Sequence, residues 1–495
     1  MDKKIPALSL QLDKQRLSQP FQGEFTEKVL QVGDGNFIRG FIDWMIDEMN
    51  RKTGFNGSIV SIQATPRGKG VAKLSRQDGL FTLLLRGVED GAIVDKRQVI
   101  HAISRGINPY TNWYDVLKTA EAHEIEFLFS NTTEAGLRYE REEYVADKAP
   151  LSFPGKVVAL LYHRYVHFVG QQDKGWIVIP CELIENNGDT LKDICLKIIG
   201  DWELPSAFTH WLLETCTFCN TLVDRIVPGY PKNEDEALCK QFGYTDELLT
   251  VAEPYHLFVI EGPSFVEEKL PFKEAGLNVH FDSIESYREL KIKLLNAPHT
   301  MLASIGLLSG IESVGEGIKD PLLSTFIHNT LNEEICATFH PAEKEKAIPY
   351  IEQVFDRFAN PYLHHRLADI SLNSFAKFQT RVWPSIYAYR SRFGENPKRL
   401  VFAFASLLHF FTGIRSDKSY QINDDPHVLS KFQLFYADFS GSEEALIKFI
   451  ENIIQEDFLQ VYENIGDLPA AIAKDFLLIQ ELGIQSALEK LENGR

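Results

Sequence analysis

Lys291, Asn296 and His299, three side chains able to hold or move a proton, fall within the stretch Lys291-Ile292-Lys293-Leu294-Leu295-Asn296-Ala297-Pro298-His299. An amine, an amide and an imidazole this close together in an apolar frame are the ingredients of proton transfer at a substrate oxygen. On a continuous α-helix, Asn296 and His299 share a face and Lys291 stands about 80° around from His299. Pro298 has no amide hydrogen and disfavours helical geometry at Ala297, so the sequence predicts a kink or a new helix start there, with Asn296 and His299 lining the break. The same stretch also reads as an ordinary amphipathic helix with Leu294 and Leu295 facing inward. Lys293, two residues from Lys291, is expected to face elsewhere and to be solvated.

A second chemical feature lies far upstream. Lys28-Val29-Leu30-Gln31-Val32 reads as a buried strand, followed at once by Gly33-Asp34-Gly35-Asn36-Phe37-Ile38-Arg39-Gly40 and then by a helical pattern from Phe41 to Met49. Glycines at 33 and 35 permit a tight turn and the close approach of a pyrophosphate, whose charge meets the free amides and dipole of the helix N-terminus. Position 38, where the dinucleotide fingerprint has its third small residue, is Ile. A second strand, Ser58 to Gln63, follows at the spacing of a strand-helix-strand unit and runs into Ala64-Thr65-Pro66-Arg67-Gly68. Gln63 stands near the place where an acidic residue ordinarily holds the adenosine ribose, and Arg67 is near enough to meet a 2'-phosphate, so these residues leave NAD and NADP both open.

Other elements fit the same sheet. Glu126 to Ser130 reads as a strand ending in the polar loop Asn131-Thr132-Thr133-Glu134-Ala135-Gly136, Lys156 to Phe168 as a helix, and Gly175 to Pro180 as a strand delivering Cys181 to Gly188 into a loop. Thr190 to Ile199 reads as a helix, Asn220 to Gly229 as a segment leading to a strand, and Tyr255 to Ile260 as a strand. After Tyr287 the apolar residues recur at helical spacing through 301–315, 321–338, 346–358, 400–412, 443–456 and 469–491. The expected architecture is an α/β nucleotide-binding domain over residues 1–284 followed by an all-α substrate and catalytic domain over 285–495, with the active site in the cleft between them.

Size and composition agree with this reading. A chain of 495 residues that is 44% hydrophobic is too long for one typical domain. Its 51 basic and 69 acidic residues give a net charge of -18, which argues against nucleic acid or an anionic membrane as partner. Met1 to Pro6 lacks the apolar core of a secretory signal, residues 1 to about 25 read as an extended lead-in, and the longest apolar run, Leu400 to Ile414, is interrupted by His409. The expectation is a soluble cytoplasmic protein. Six cysteines are too few and too uneven for a disulfide framework, and the lone pair Cys216 and Cys219 lacks the second pair of a zinc site, so no metal is expected.

Taken in order, Gly33-x-Gly35-x-Phe37-x-Arg39, Asn187-Gly188, Asn220 to Pro228, Lys291-x4-Asn296-x2-His299 and Arg357-Phe358-Ala359-Asn360-Pro361 resemble the long-chain mannitol dehydrogenase family of polyol and sugar-acid dehydrogenases across nearly the whole chain. Thr65-Pro66-Arg67-Gly68, Ser130 to Gly136 and Ile370-Ser371-Leu372-Asn373-Ser374 are similar to its hexuronate-reducing branch. The resemblance implies a Rossmann-like domain before a helical one, and metal-free hydride transfer between NAD and a secondary alcohol. It also implies Lys291 as acid/base, Asn187 and Asn296 polarising the reacting oxygen, and His299 orienting the substrate. A lysine base at neutral pH must lose its proton more easily than in water. Candidate cofactor contacts are Val32, Gly33, Asp34, Gly35, Asn36, Phe37, Ile38, Arg39, Gln63 and Thr132. Candidate substrate contacts are Asp224, Arg288, Lys377 and Arg381, and the expected substrate is a small sugar acid. The family often has Glu where Arg288 stands, and its mannitol enzymes tend to show Arg where Asp369 stands. A uronate carboxylate held by Arg288, Lys377 or Arg381 accounts for that exchange of charge. The alternatives are a fructuronate or mannitol-type substrate, or a nucleotide-binding relative without catalysis.

Overall fold

The apolar run before the glycine turn forms the centre of a parallel sheet. The computed structural model describes residues 5–12, 25–133, 135–415, 418–419, 421–458 and 465–494, so Glu134 and most of the expected lead-in, at 1–4 and 13–24, lie outside the described residues. The chain divides into two compact units, Met1–Arg86 with Val94–Tyr287, and Gly87–Ile93 with Arg288–Arg495.

In the first unit the strands are β1 (Thr26–Val32), β2 (Gly57–Ile62), β3 (Phe81–Glu89), β4 (Ala92–Ile100), β5 (Ile103–Ile107), β6 (Phe127–Ser130), β7 (Ile177–Pro180), β8 (Thr217–Phe218), β9 (Asn220–Asp224), β10 (Thr250–Ala252), β11 (Leu257–Glu261) and β12 (Val279–Phe281). Six of them make one parallel sheet in the order β5-β2-β1-β6-β7-β8, the doubly wound dinucleotide-binding order whose switch point lies between β1 and β6. The pleat sends Leu30, Val32, Val60, Ile62, Leu128 and Val178 to one face, under helices that include Phe153–His167 and Asn187–Asp201. Val29, Ile59, Phe127, Phe129, Ile177 and Ile179 go to the other, against Phe41, Met45 and Met49. Burial on both faces is why these strands are continuous apolar runs and legible in the sequence.

Two smaller sheets, β10-β3-β4 and β12-β11-β9, complete the unit. The segment from Asn220, expected to lead into a strand, is itself β9, paired antiparallel with β11. Apart from the ends of β3 and β4 within Gly87–Ile93 and the short strand pair Ile414–Arg415 and Lys418–Ser419, the described residues of the second unit are helical or loop. At its centre helix Ala297–Ser309 is apolar almost all round and packs against Lys398–Phe410, Leu367–Ile370 and Ser374–Arg381. Among the described residues, no helix is long and apolar enough to cross a membrane.

Candidate functional site

In the first unit the glycine turn closes over the switch point. Gly33 has φ +119°, and a Cβ there would lie 2.6 Å from the Asn131 carbonyl oxygen at the end of β6, so no other residue fits. Gly35 differs: it is exposed, its φ of -75° suits any residue, and a Cβ would meet no protein atom within 4 Å. It caps the start of an unbroken helical run, Asn36–Ile38, π-helical Arg39–Asp43 and Trp44–Lys52. Free amides and open space at the carboxyl edge of β1 are what an approaching pyrophosphate needs.

Arg39 holds this turn from behind. Its buried guanidinium donates to the Asp34 carbonyl, to Asn36 Oδ1 at 2.6 Å and to Thr250 Oγ1 at 3.2 Å. The Asp34 carboxylate accepts the Val71 amide at 3.0 Å, and buried Val32 and Ile38 frame the turn. Beside it a recess of about 460 Å³ is lined by Phe37, Asn131, Thr132, Thr133, Ala135, Glu182 and Leu183, with apolar walls suited to a flat ring. Glu182, which sequence reasoning passed over, accepts hydrogen bonds from the Ser130 hydroxyl (2.9 Å) and from the Thr132 amide (2.9 Å) and hydroxyl (3.0 Å). Burial pushes its carboxyl up while these donors pull it down, and burial wins. Its position at the carboxyl end of β7 was the available signal. A second recess of about 490 Å³ reaches Gln63, Lys69, Arg105 and Asn108 at the ends of β2 and β5. Gln63 is buried and donates through Nε2 to the Thr65 carbonyl at 2.7 Å, while Arg67 is exposed.

In the second unit the expected break at Pro298 does not occur. Helix Ile284–Leu290 runs on through π-helical Lys291–Asn296 into Ala297–Ser309, and the Ala297 amide bonds the Ile292 carbonyl five residues back. A proline ring clashes with the carbonyl four residues back and donates no bond, and a turn widened just ahead of it accommodates both facts without ending the helix. The widening has a chemical result. Five residues separate Lys291 from Asn296, about 140° apart on an α-helix, and the wider turn of i→i+5 bonding narrows that angle. Lys291 and Asn296 are partly buried, and among the described residues the Asn296 amide side chain makes no hydrogen bond. Lys293 corrects the expectation of a solvated side chain: it is only 13% exposed, pairs with Glu289 at 2.5 Å and lies 4.9 Å from the Phe339 ring centre.

The His299 ring lies 4.3 Å from that of Phe358 and 5.0 Å from that of His365. Burial, then the charges of His365, Arg357 and Arg381, push its pKa down to about 3, against a bond to the Leu295 backbone that raises it. The ring is therefore neutral at every working pH. Because the folded value lies below the unfolded one near 6.5, the unfolded chain takes the proton first, and this histidine weakens the fold as pH falls below about 6.5. We expect the His299 ring resonances not to titrate between pH 5 and 8 by NMR; a midpoint near 6.5 would contradict this environment.

Residues 27–274 match the family description "Mannitol dehydrogenase Rossmann domain", and residues 283–466 match "Mannitol dehydrogenase C-terminal domain". The chain belongs to the mannitol dehydrogenase family. Among its similar relatives are an altronate oxidoreductase of Halalkalibacterium halodurans, 43% identical over 95% of this chain and 94% of that one, and an altronate oxidoreductase of Bacillus subtilis, 39% identical over 94% and 95%. Two solved structures share its fold. They are a substrate-free D-sorbitol dehydrogenase (TM-score 0.77, 22% identity, 94% and 95% coverage) and the Pseudomonas fluorescens mannitol 2-dehydrogenase in a ternary complex with NAD and D-mannitol (TM-score 0.65, 21% identity, 99% and 100% coverage).

Within this family frame the structure sorts the candidates. Gly33 to Arg39, Thr132 and Gln63 gather at the carboxyl edge of the parallel sheet, whereas Lys291, Asn296 and His299 share one helical run. Asn187 is fully buried and spent. Its Nδ2 donates to the Pro180 and Glu182 carbonyls and to Thr221 Oγ1 (3.1, 3.0 and 2.9 Å), and its Oδ1 accepts the Thr221 amide at 2.8 Å. This amide therefore has nothing left to offer a substrate oxygen. It pins the loop after β7 to β9, and we expect Asn187→Ala to lower the unfolding free energy by roughly 2–4 kcal/mol in urea titrations, because buried partners are left unsatisfied. A change within error would show those bonds to be dispensable. Asp224, at the end of β9, is also buried. Burial pushes the Cys216 and Cys219 thiols up to about 11 and 12, so both stay protonated and unreactive at neutral pH.

Proposed function

We propose that this chain catalyses the reversible NAD-linked interconversion of D-altronate and D-tagaturonate, in the cytoplasm, as a step of hexuronate breakdown. The observation that carries the reading is the π-helical turn Lys291–Asn296 running directly into the helix of neutral His299, in a chain 43% identical over 95% of its length to an altronate oxidoreductase. The dinucleotide fits the first unit: Gly35 leaves room for the pyrophosphate, Arg39 and Asp34 brace the turn, and the recess of Phe37, Thr132 and Leu183 takes the ring. Bound there, NAD supplies the hydride acceptor for oxidation and NADH the donor for reduction.

In this reading Lys291 exchanges the proton at the reacting oxygen, donating it as the alcohol forms and withdrawing it as the ketone forms. Asn296, whose amide no described residue occupies, donates to the same oxygen and stabilises its alkoxide character. Because the His299 ring is neutral, one of its nitrogens accepts a bond from a substrate hydroxyl and fixes the carbon chain. Asn187 holds the loop after β7 in place instead of touching the substrate. Residues 1–284 serve as the nucleotide-binding domain and residues 285–495 as the substrate domain.

The test follows absorbance at the reduced-nicotinamide band when purified protein meets NAD or NADP with D-altronate, D-mannonate or D-mannitol. Reduction of NAD with D-altronate at a kcat/KM at least 100-fold above the others supports the reading. Preference for mannitol or mannonate replaces the substrate, and binding of NADH without turnover of any of them replaces the enzyme with a nucleotide-binding protein.

A further inference from the structure

We propose that Arg381, with Lys377 one helical turn before it, is the site that receives the carboxylate of the sugar-acid substrate. The inference rests on the altronate reading and adds to it which end of the substrate is read as an anion, and by what. Lys377 and Arg381 are four residues apart on helix Ser374–Arg381 and so share a face. That helix packs against the π-helical turn Lys291–Asn296 and against Ala297–Ser309, the elements that carry the proton-transferring group.

Arg381 is partly buried, yet among the described residues it makes no hydrogen bond and no ion pair. Other arginines of the same unit are engaged: Arg390 with Asp467, Arg399 with Glu333 and Glu492, and Arg392 with the Thr338 and Phe339 carbonyls. Arg288, the third candidate for the carboxylate, already has an interaction of its own. A guanidinium drawn partly out of water, with its five donors unused among the described residues, is unfavourable unless an acceptor arrives, and a carboxylate matches its planar fork. Among the described residues no acid supplies that acceptor. Asp424 turns its Oδ2 to the Ser374 hydroxyl and the Phe375 amide, both at 3.1 Å, and caps the helix. Lys377 keeps one bond, to the Ile370 carbonyl at 2.8 Å, and has donors left.

The surrounding electrostatics point the same way. Burial and then the Arg381 charge hold the Lys377 ammonium below its ordinary range, and Arg381 and Arg357 both repel a proton from His299. A local excess of positive charge in a protein of net charge -18 is where an anionic substrate gains most.

The experiment compares wild type, Arg381→Gln, Arg381→Lys and the double variant Lys377→Gln/Arg381→Gln as full-length enzymes. NADH binding and circular dichroism confirm that each is folded. For Arg381→Gln we expect the KM for D-altronate to rise about 30- to 100-fold, with kcat falling far less, the lysine variant intermediate, and added guanidinium ion restoring part of the loss. A lost charged hydrogen bond of this kind is worth about 2–3 kcal/mol. A KM within threefold of wild type in both Arg381→Gln and the double variant overturns the proposal while leaving the altronate reading intact. A wild type that does not turn over D-altronate removes the reading itself.

Discussion

Lys291→Met is expected to lower kcat for D-altronate oxidation by roughly 10²–10⁴, the range by which positioned acid/base groups accelerate proton transfer, while the Kd for NADH stays within about twofold. The proposed cofactor contacts lie on the glycine turn, and Lys291 lies on the π-helical turn of the second unit, so affinity and chemistry should separate. Lys291→Arg is the sharper variant. It keeps the positive charge and most of the length, but guanidinium does not give up its proton in a protein. If Lys291 works by exchanging a proton, the arginine variant is nearly as inactive as the methionine one. If it works only as a fixed charge against the reacting oxygen, the arginine variant keeps a tenth or more of kcat, and the acid/base assignment fails. Single-turnover measurement of NADH formation keeps product release from masking the loss.

Two alanine substitutions in the glycine turn should separate folding from cofactor binding. Gly33→Ala combines a positive φ with a Cβ 2.6 Å from the Asn131 carbonyl oxygen. The backbone is held from two sides, with the Gly33 amide bonded to the Ile62 carbonyl at 2.9 Å and the Asn131 amide to the Val32 carbonyl at 3.1 Å, so neither β1 nor β6 can give way cheaply. We expect a loss of roughly 2–4 kcal/mol in unfolding free energy, with NADH binding lost alongside. Gly35→Ala meets no protein atom and keeps an ordinary backbone, so its stability should change by less than about 1 kcal/mol. Its methyl group occupies the space proposed for the pyrophosphate, and the Kd for NADH, read by fluorescence quenching, should rise at least about tenfold. Unchanged NADH affinity in a folded Gly35→Ala variant would move the cofactor away from this turn.

Some elements were legible because their signals are local. β1, β2, β6 and β7 are buried on both faces and therefore read as apolar runs, and the helices after Tyr287 show their 3.6-residue spacing directly. β3, β4 and β5 and helix Trp113–Glu121 were not read. β4 carries Asp95, Lys96 and Arg97 on an exposed stretch, and its sheet is completed by β10, which comes from far along the chain. The π-helical turn at Lys291–Asn296 was also hidden, because Pro298 signals only that regular α-helix is costly there and leaves a break and a widened turn as alternatives.

The sequence by itself determined that a tight glycine turn follows the first buried strand and that Lys291, Asn296 and His299 fall within one short apolar-framed stretch, while the unbroken helix through Pro298 was left to the tertiary structure. Those features depend on backbone dihedrals and side-chain period, which neighbouring residues set. Tertiary structure decided which polar groups are left to work. Asn187 and Asn296 carry the same amide, but Thr221, brought in on β9, consumes the first, while among the described residues the second makes no hydrogen bond. Arg39 and Arg381 carry the same guanidinium, but the glycine turn and Thr250 consume the donors of Arg39, while among the described residues no acceptor meets Arg381. A side chain brings a fixed set of donors and acceptors, and the partners that spend them arrive from distant parts of the chain only when it folds.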